Sequence, residues 1–292
     1  MSGHSQLRTV LVAVNVGNTT TSAGIYVDGA LVRTARVPSA SLRKSWSLFG
    51  RAADDFRGET TAALIGSVVP ELTEVAGDIA SGEFDAPARF YRRDIDAGLV
   101  VAIDFPERIG DDRLLNALAA LERFREDGSR DTSRGVVVVD LGTAVTVDAV
   151  SGDAEFLGGA ILPGARVCVD AMASRTALLP RIDLKGDLRV PGRNTEQAMR
   201  AGLLHGLAGA IDRLVEKTWE SLGSQTPVLA TGGEAALVVP LAQHVHEIEP
   251  ALTLEGLVRA AEAHAAGSRA GDPGGPAPAG PTEGDGASQD GQ

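Results

Sequence analysis

Two short runs in this chain share one chemical make-up: Asn15-Val16-Gly17-Asn18-Thr19 and Asp140-Leu141-Gly142-Thr143, the second offset from the first by 125 residues. Each places an amide or acid at the end of an apolar run, then a glycine, then a hydroxyl. Gly17 and Gly142 let the backbone turn closely, so that successive N–H groups and the hydroxyls of Thr19 and Thr143 can face phosphate oxygens. One such turn is an ordinary loop. Two in the same strand context, set across a cleft, make a nucleotide site. Thr231-Gly232-Gly233 follows another apolar run and offers either a flat wall for adenine or ribose, or a plain strand-to-helix turn.

The acid–base candidates lie in Gly110-Asp111-Asp112-Arg113. A carboxylate here can take the proton of a substrate hydroxyl while the adjoining guanidinium holds an anion. The two acids can equally well complement a helix N-terminus. Asp140 ends a buried-type run, where a carboxylate needs a cation or several hydrogen bonds. Asp148 and Asp170 are further acids of this kind, with capping as their default role. His205 reads as a packed histidine, and none of the five histidines is spaced with an acid and a hydroxyl as a hydrolase triad. The chain holds no Gly-x-x-x-x-Gly-Lys-Ser/Thr motif and only three lysines, Lys44, Lys185 and Lys217, which excludes a P-loop kinase. Phosphoryl transfer would rest on backbone N–H groups, arginines, hydroxyls and metal ions.

Composition narrows the partners. A net charge of -12 with no dense Lys/Arg block argues against nucleic acid. The apolar runs are far shorter than the roughly 20 residues a membrane span requires. Residues 1–8 lack a leader's apolar core, and the single Cys168 excludes a disulfide framework or a cysteine zinc site. Together these give the expectation of a cytoplasmic protein.

The elements that must position these residues follow from periodicity. Strands are expected at 9–15, 20–27 and 30–37, a meander joined by the turn Asp28-Gly29, then a helix at 42–54, a strand at 62–66 and a helix at 71–79 opened by Pro70. Residues 91–109 are short and irregular. Residues 111–125 have helical spacing. The meander then begins again, with strands at 136–139, 145–150 and 155–161. Helices at 164–177 and 194–222, a strand at 227–230, and helices at 234–243 and 254–266 complete it. Residues 267–292 carry eight Gly and four Pro without Leu, Ile, Val or Phe, and are expected as a disordered acidic tail.

These pieces resemble the type III pantothenate kinases of the actin-like and sugar-kinase-like ATPase superfamily. The resemblance spans about residues 11–254 and is carried in order by the runs above, by Gly66-Ser67-Val68-Val69-Pro70, by Leu157-Gly158-Gly159-Ala160-Ile161-Leu162-Pro163-Gly164, and by Gly192-Arg193-Asn194-Thr195. It implies an α/β fold of duplicated ribonuclease-H-like halves around a nucleotide cleft, residues 1–112 and 113–266. It also implies ATP-dependent phosphorylation of the primary hydroxyl of pantothenate, the first step of coenzyme A synthesis, by a homodimer whose pocket both subunits line.

By the same resemblance Asp112 is the catalytic base. Gly110, Asp111, Arg113 and Thr195 hold pantothenate, with Thr195 reaching it from the neighbouring subunit. Asn15, Val16, Gly17, Asn18, Thr19, Gly142, Thr143, Gly232 and Gly233 hold ATP. Asp140 binds a monovalent cation, K⁺ or NH₄⁺, and Mg²⁺ accompanies the nucleotide. The chain departs from the family at Asn15, where members carry Asp, so the first hairpin loses a negative charge that favours a divalent ion. A second departure is Ile103 before Asp104-Phe105-Pro106, where members often carry Tyr ahead of Asp-Asn-Pro. The rival readings are another small-molecule kinase or phosphatase of the superfamily, and a nucleotide- or pantothenate-binding homologue weakened by Asn15.

Overall fold

Alternating apolar residues build a first sheet from β1 (Val10–Val16), β2 (Thr20–Val27), β3 (Ala30–Pro38), β4 (Thr60–Ser67) and β5 (Ala88–Phe90), in the order β3-β2-β1-β4-β5. This is a computed structural model, and it describes residues 9–44, 54–56, 58–96, 98–128, 132–245 and 247–270. β1, β2 and β3 form the antiparallel meander, while β4 and β5 join β1 in parallel. The second sheet repeats the plan. β7 (Val136–Leu141), β8 (Ala144–Val150) and β9 (Glu155–Pro163) form its meander, and β10 (Val228–Thr231) and β11 (Glu247–Ile248) extend β7 in parallel. β6 (Val100–Val101) adds an edge strand beside β9, so the chain reaches the second sheet before residue 112. The fold is the duplicated ribonuclease-H-like α/β architecture.

Two sheets and their helices stack in five layers. Val10, Val12, Val14 and Val16 face α1 (Pro70–Phe84), which Pro70 opens at its first turn. Val137, Val139 and Leu141 face α3 (Ala165–Arg175) and α4 (Thr195–Leu222). Between the sheets lie α2 (Asp111–Asp127) and α6 (Leu252–Ala270), packed on each other and on Ala13, Leu64, Val136 and Val138. Side chains alternate across a strand, so Asn15 and Asp140 share the parity of Ala13 and Val138 and point to this central layer.

Several expected elements differ. The helix expected at 234–243 is a short α5 (Ala235–Val238) followed by a 3-10 turn at Val239–Leu241, where Pro240 has no N–H to continue the α-helical hydrogen bonding. α6 runs on to Ala270, four residues into the expected tail, and residues 271–292 lie outside the described residues. Of the helix expected at 42–54, residues 42–44 are helical and 45–53 lie outside the described residues. No helix among the described residues is long and apolar enough to cross a membrane.

Candidate active site

The two glycine turns meet. Thr19 Oγ1 and Thr143 Oγ1 lie 2.9 Å apart in one hydrogen bond, both exposed. The N–H of Gly17 is spent on Thr20 O (3.1 Å) and that of Gly142 on Ala144 O (3.1 Å), so these glycines close their own hairpins, and the hydroxyls are what the turns present. Ser39 braces the first turn through its Oγ to Gly17 O (2.6 Å) and its N–H to Thr19 O (3.0 Å). Val16 and Asn18 flank this turn. Asn15 Oδ1 is buried and has no hydrogen-bond partner among the described residues, which is unusual for a buried acceptor.

Asp140, at the end of β7, joins three of the expected motifs. Its Oδ2 accepts from Asn116 Nδ2 (3.0 Å) on α2, and Thr253 Oγ1 of α6 donates to Asn116 Oδ1 (2.7 Å). Its Oδ1 turns to the third motif: a Cβ on Gly232 would stand 2.5 Å from this atom and 2.5 Å from Leu141 O, and Gly232 has φ +97°. Only glycine fits there. Gly233 follows, and Glu234 donates its N–H to Leu141 O (2.9 Å). The buried Glu234 carboxylate accepts the N–H of Ala165 (2.8 Å) and Arg166 (3.1 Å), the first residues of α3. Strand end, glycine wall and α3 are thus one block.

The helix α2 carries Asp111, Asp112 and Arg113. Gly110 is its N-cap and Asp111 and Asp112 fill its first turn. The two acids then part. Asp111 faces Arg92, 3.5 Å away, which is itself anchored on Ile109 O and Pro106 O. Asp112 Oδ1 accepts the N–H of Arg113 (2.8 Å), and among the described residues no ion pair to its carboxylate is formed. The Arg113 side chain instead crosses to Asp148 on β8. Asp112 and Asn116 lie four residues apart on α2 and so share a face toward Asp140.

Burial raises the pKa of Asp112, reinforced by the charge of Asp148 and opposed by the N–H and the charge of Arg113. Burial likewise lifts Asp140, with Asp112 and Asp148 adding to it and Asn116 opposing, to about 7. Asp140 keeps a small accessible face although protein surrounds it on nearly every side. Two buried acids, both harder to ionise than usual and acting on one another, are the pattern that functional sites share.

The family model for type III pantothenate kinases matches residues 11–217. The chain belongs to the type III pantothenate kinase family. It is 35% identical to the type III pantothenate kinase of Myxococcus xanthus (strain DK1622) over 254 residues, 85% of this chain and 96% of that protein. It is 34% identical to that of Anaeromyxobacter sp. (strain K), over 85% and 97%. Among solved structures, a Campylobacter jejuni protein described as a Baf family transcriptional activator superposes with a TM-score of 0.53 at 15% identity, covering 87% of this chain and 98% of that one. That likeness concerns the fold.

In this member of the pantothenate kinase family one expected site residue stands apart from the cluster, and one expected packed residue is not packed. Thr195, the exposed first residue of α4, has no hydrogen bond or ion pair to Asp112 or the hairpins among the described residues. His205 is exposed rather than packed, because it lies on the outward face of α4, where its Nε2 meets Leu188 O (3.2 Å). Sequence reasoning missed Asn116, Glu234 and Thr253. A polar residue on the apolar face of α2 was the available signal for Asn116.

Proposed function

We propose that this chain transfers the γ-phosphoryl group of ATP to the primary hydroxyl of pantothenate, the first step of coenzyme A synthesis. The observation that carries the reading is the meeting of Thr19 and Thr143 at the heads of the two sheets, with Asp140, three residues before Thr143, close enough to Asp112 to feel its charge. The two hydroxyls grip the phosphate chain from opposite sheets, and Gly232 and Gly233 form the wall for the nucleoside. Asp112 takes the proton of the attacking hydroxyl, and Arg113, Gly110 and Asp111 hold the pantothenate end.

The residues fit the cations the family implies. Asp140 brings a carboxylate ringed by protein, and Asn15 brings a buried oxygen without a partner. K⁺ or NH₄⁺ would rest on Asp140, and Mg²⁺ on the phosphates near Asn15. When bound, these ions offset the charge on the transferring group. Among the described residues no cluster of three His, Cys, Asp or Glu side chains that could hold a metal is found; Asp140 and Asn15 would hold the ions together with phosphate oxygens of the nucleotide.

A homodimer accounts for Thr195 and for exposed apolar side chains of the second half: Ile161 on β9, Val167 on α3, and Leu178 and Val190 in the segment before α4. Leu178 is 90% exposed, which a second subunit would relieve. Purified protein assayed with ATP, Mg²⁺ and pantothenate, with and without K⁺, is expected to form phosphopantothenate in a K⁺-dependent way. Absence of pantothenate-dependent ADP release under all these conditions overturns the reading.

A further inference from the structure

The guanidinium of Arg113 is fixed in a way the proposed reaction does not by itself require. Its Nε meets both oxygens of Asp148 (3.1 and 3.2 Å), and its Nη2 meets Asp148 Oδ1. Asp148 is 1% exposed and is itself held: Thr146, one inward position earlier on β8, donates its Oγ1 to Asp148 Oδ2 (2.8 Å). On the neighbouring strand β9, a Cβ on Gly159 would stand 2.3 Å from Asp148 Oδ1, so the room for this carboxylate exists because that position has no side chain. The ring of Phe156 lies 5.4 Å from the guanidinium carbon, in cation–π range.

A buried acid on an otherwise apolar, alternating strand is costly unless it is paired. Here Val145 and Val147 face the α4 side, while Thr146 and Asp148 face α2. The pairing has two chemical consequences. It uses the Nε and Nη2 edge of Arg113 and leaves Nη1 to meet a substrate anion. It also gives the guanidinium an acid partner other than Asp112, its immediate neighbour in sequence, so that its charge acts on Asp112 without a direct ion pair among the described residues.

We infer that Asp148 is a positioning residue for Arg113, holding its Nε and Nη2 edge so that Nη1 is aimed at the carboxylate end of pantothenate. This rests on the pantothenate kinase reading and adds to it a residue that touches neither substrate. The test is steady-state kinetics of D148N, R113K, the double variant and T146V, with KM measured separately for pantothenate and for ATP. D148N is expected to raise KM for pantothenate by about tenfold or more, the usual scale for losing a charge-assisted pair, with KM for ATP unchanged. The double variant is expected to be no worse than R113K alone, because Asp148 acts through Arg113.

T146V keeps the ion pair and loosens its anchor, so a smaller rise in the same constant is expected; it serves also if D148N does not fold. Equal effects on both substrates, additive losses in the double variant, or an unchanged pantothenate KM in the folded variants overturn the inference. Failure of the underlying reading looks different: the unmutated protein then transfers no phosphate to pantothenate, or R113K leaves its KM unmoved.

Discussion

Thr19 Oγ1 and Thr143 Oγ1 share a hydrogen bond of 2.9 Å although 124 residues separate them in the chain. Each ends a glycine turn at the head of its own sheet, so this contact is where the two halves of the molecule close on one another. Thr143→Val is expected to lower kcat/KM for ATP by about 10- to 100-fold, the scale of losing one hydrogen bond to a charged phosphate oxygen. Thr19→Val should act in the same direction. Less than a twofold change in both would remove the hydroxyls from the nucleotide site.

Asp112→Asn is expected to cut turnover by about 10²- to 10⁴-fold, the usual contribution of a general base, and to leave ATP binding by calorimetry intact. Because burial raises the pKa of Asp112, the rate of the unmutated enzyme should fall on acidification at a pH above the ordinary carboxylate range. A variant with near-native turnover contradicts the assignment.

Asp140 predicts how stability varies with pH. Its carboxyl is harder to ionise in the folded chain, with a pKa of about 7, than in the unfolded one at about 3.9. Between these values the unfolded chain gives up its proton first, so without cations stability declines as pH rises from about 4 to about 7 and then levels off. Asp140→Asn should flatten that decline in a series of thermal melts, and K⁺ should offset it in the unmutated protein only.

Asn15→Asp restores a negative charge at a buried oxygen that has no partner. Mn²⁺ affinity in the presence of ADP, followed by electron paramagnetic resonance, is expected to tighten several-fold. In a chelator the same variant should melt at a lower temperature than the unmutated chain, since a buried carboxylate then lacks a counter-charge. Unchanged metal affinity would place the cation away from the first hairpin.

Much of this was legible from residue pattern. The strands at 20–27, the duplicated glycine turns and the helix beginning at Asp111 follow from alternation, helical spacing and turn chemistry, all of them local properties. What local pattern does not encode is which distant side chain meets which. Arg113 and Asp148 are 35 residues apart, and Asn116 and Thr253 are 137 apart. Their pairing depends on a helix lying between two sheets. β11 escaped notice because two residues give too short an alternation, and α5 stops short because Pro240 outweighs an apolar spacing that continues past it. The division at residue 112 treats the halves as consecutive blocks, whereas α2 spans that residue as one element.

The place of α6 bears on how the chain is made. This last helix packs on β1 and β4, yet it follows β4 by roughly 185 residues. On a ribosome working at about 5–20 residues per second, the earliest strands emerge with one greasy side uncovered and wait on the order of ten to forty seconds for the segment that shields it. A message cut short before residue 252 therefore yields a product that cannot complete even its first-made portion.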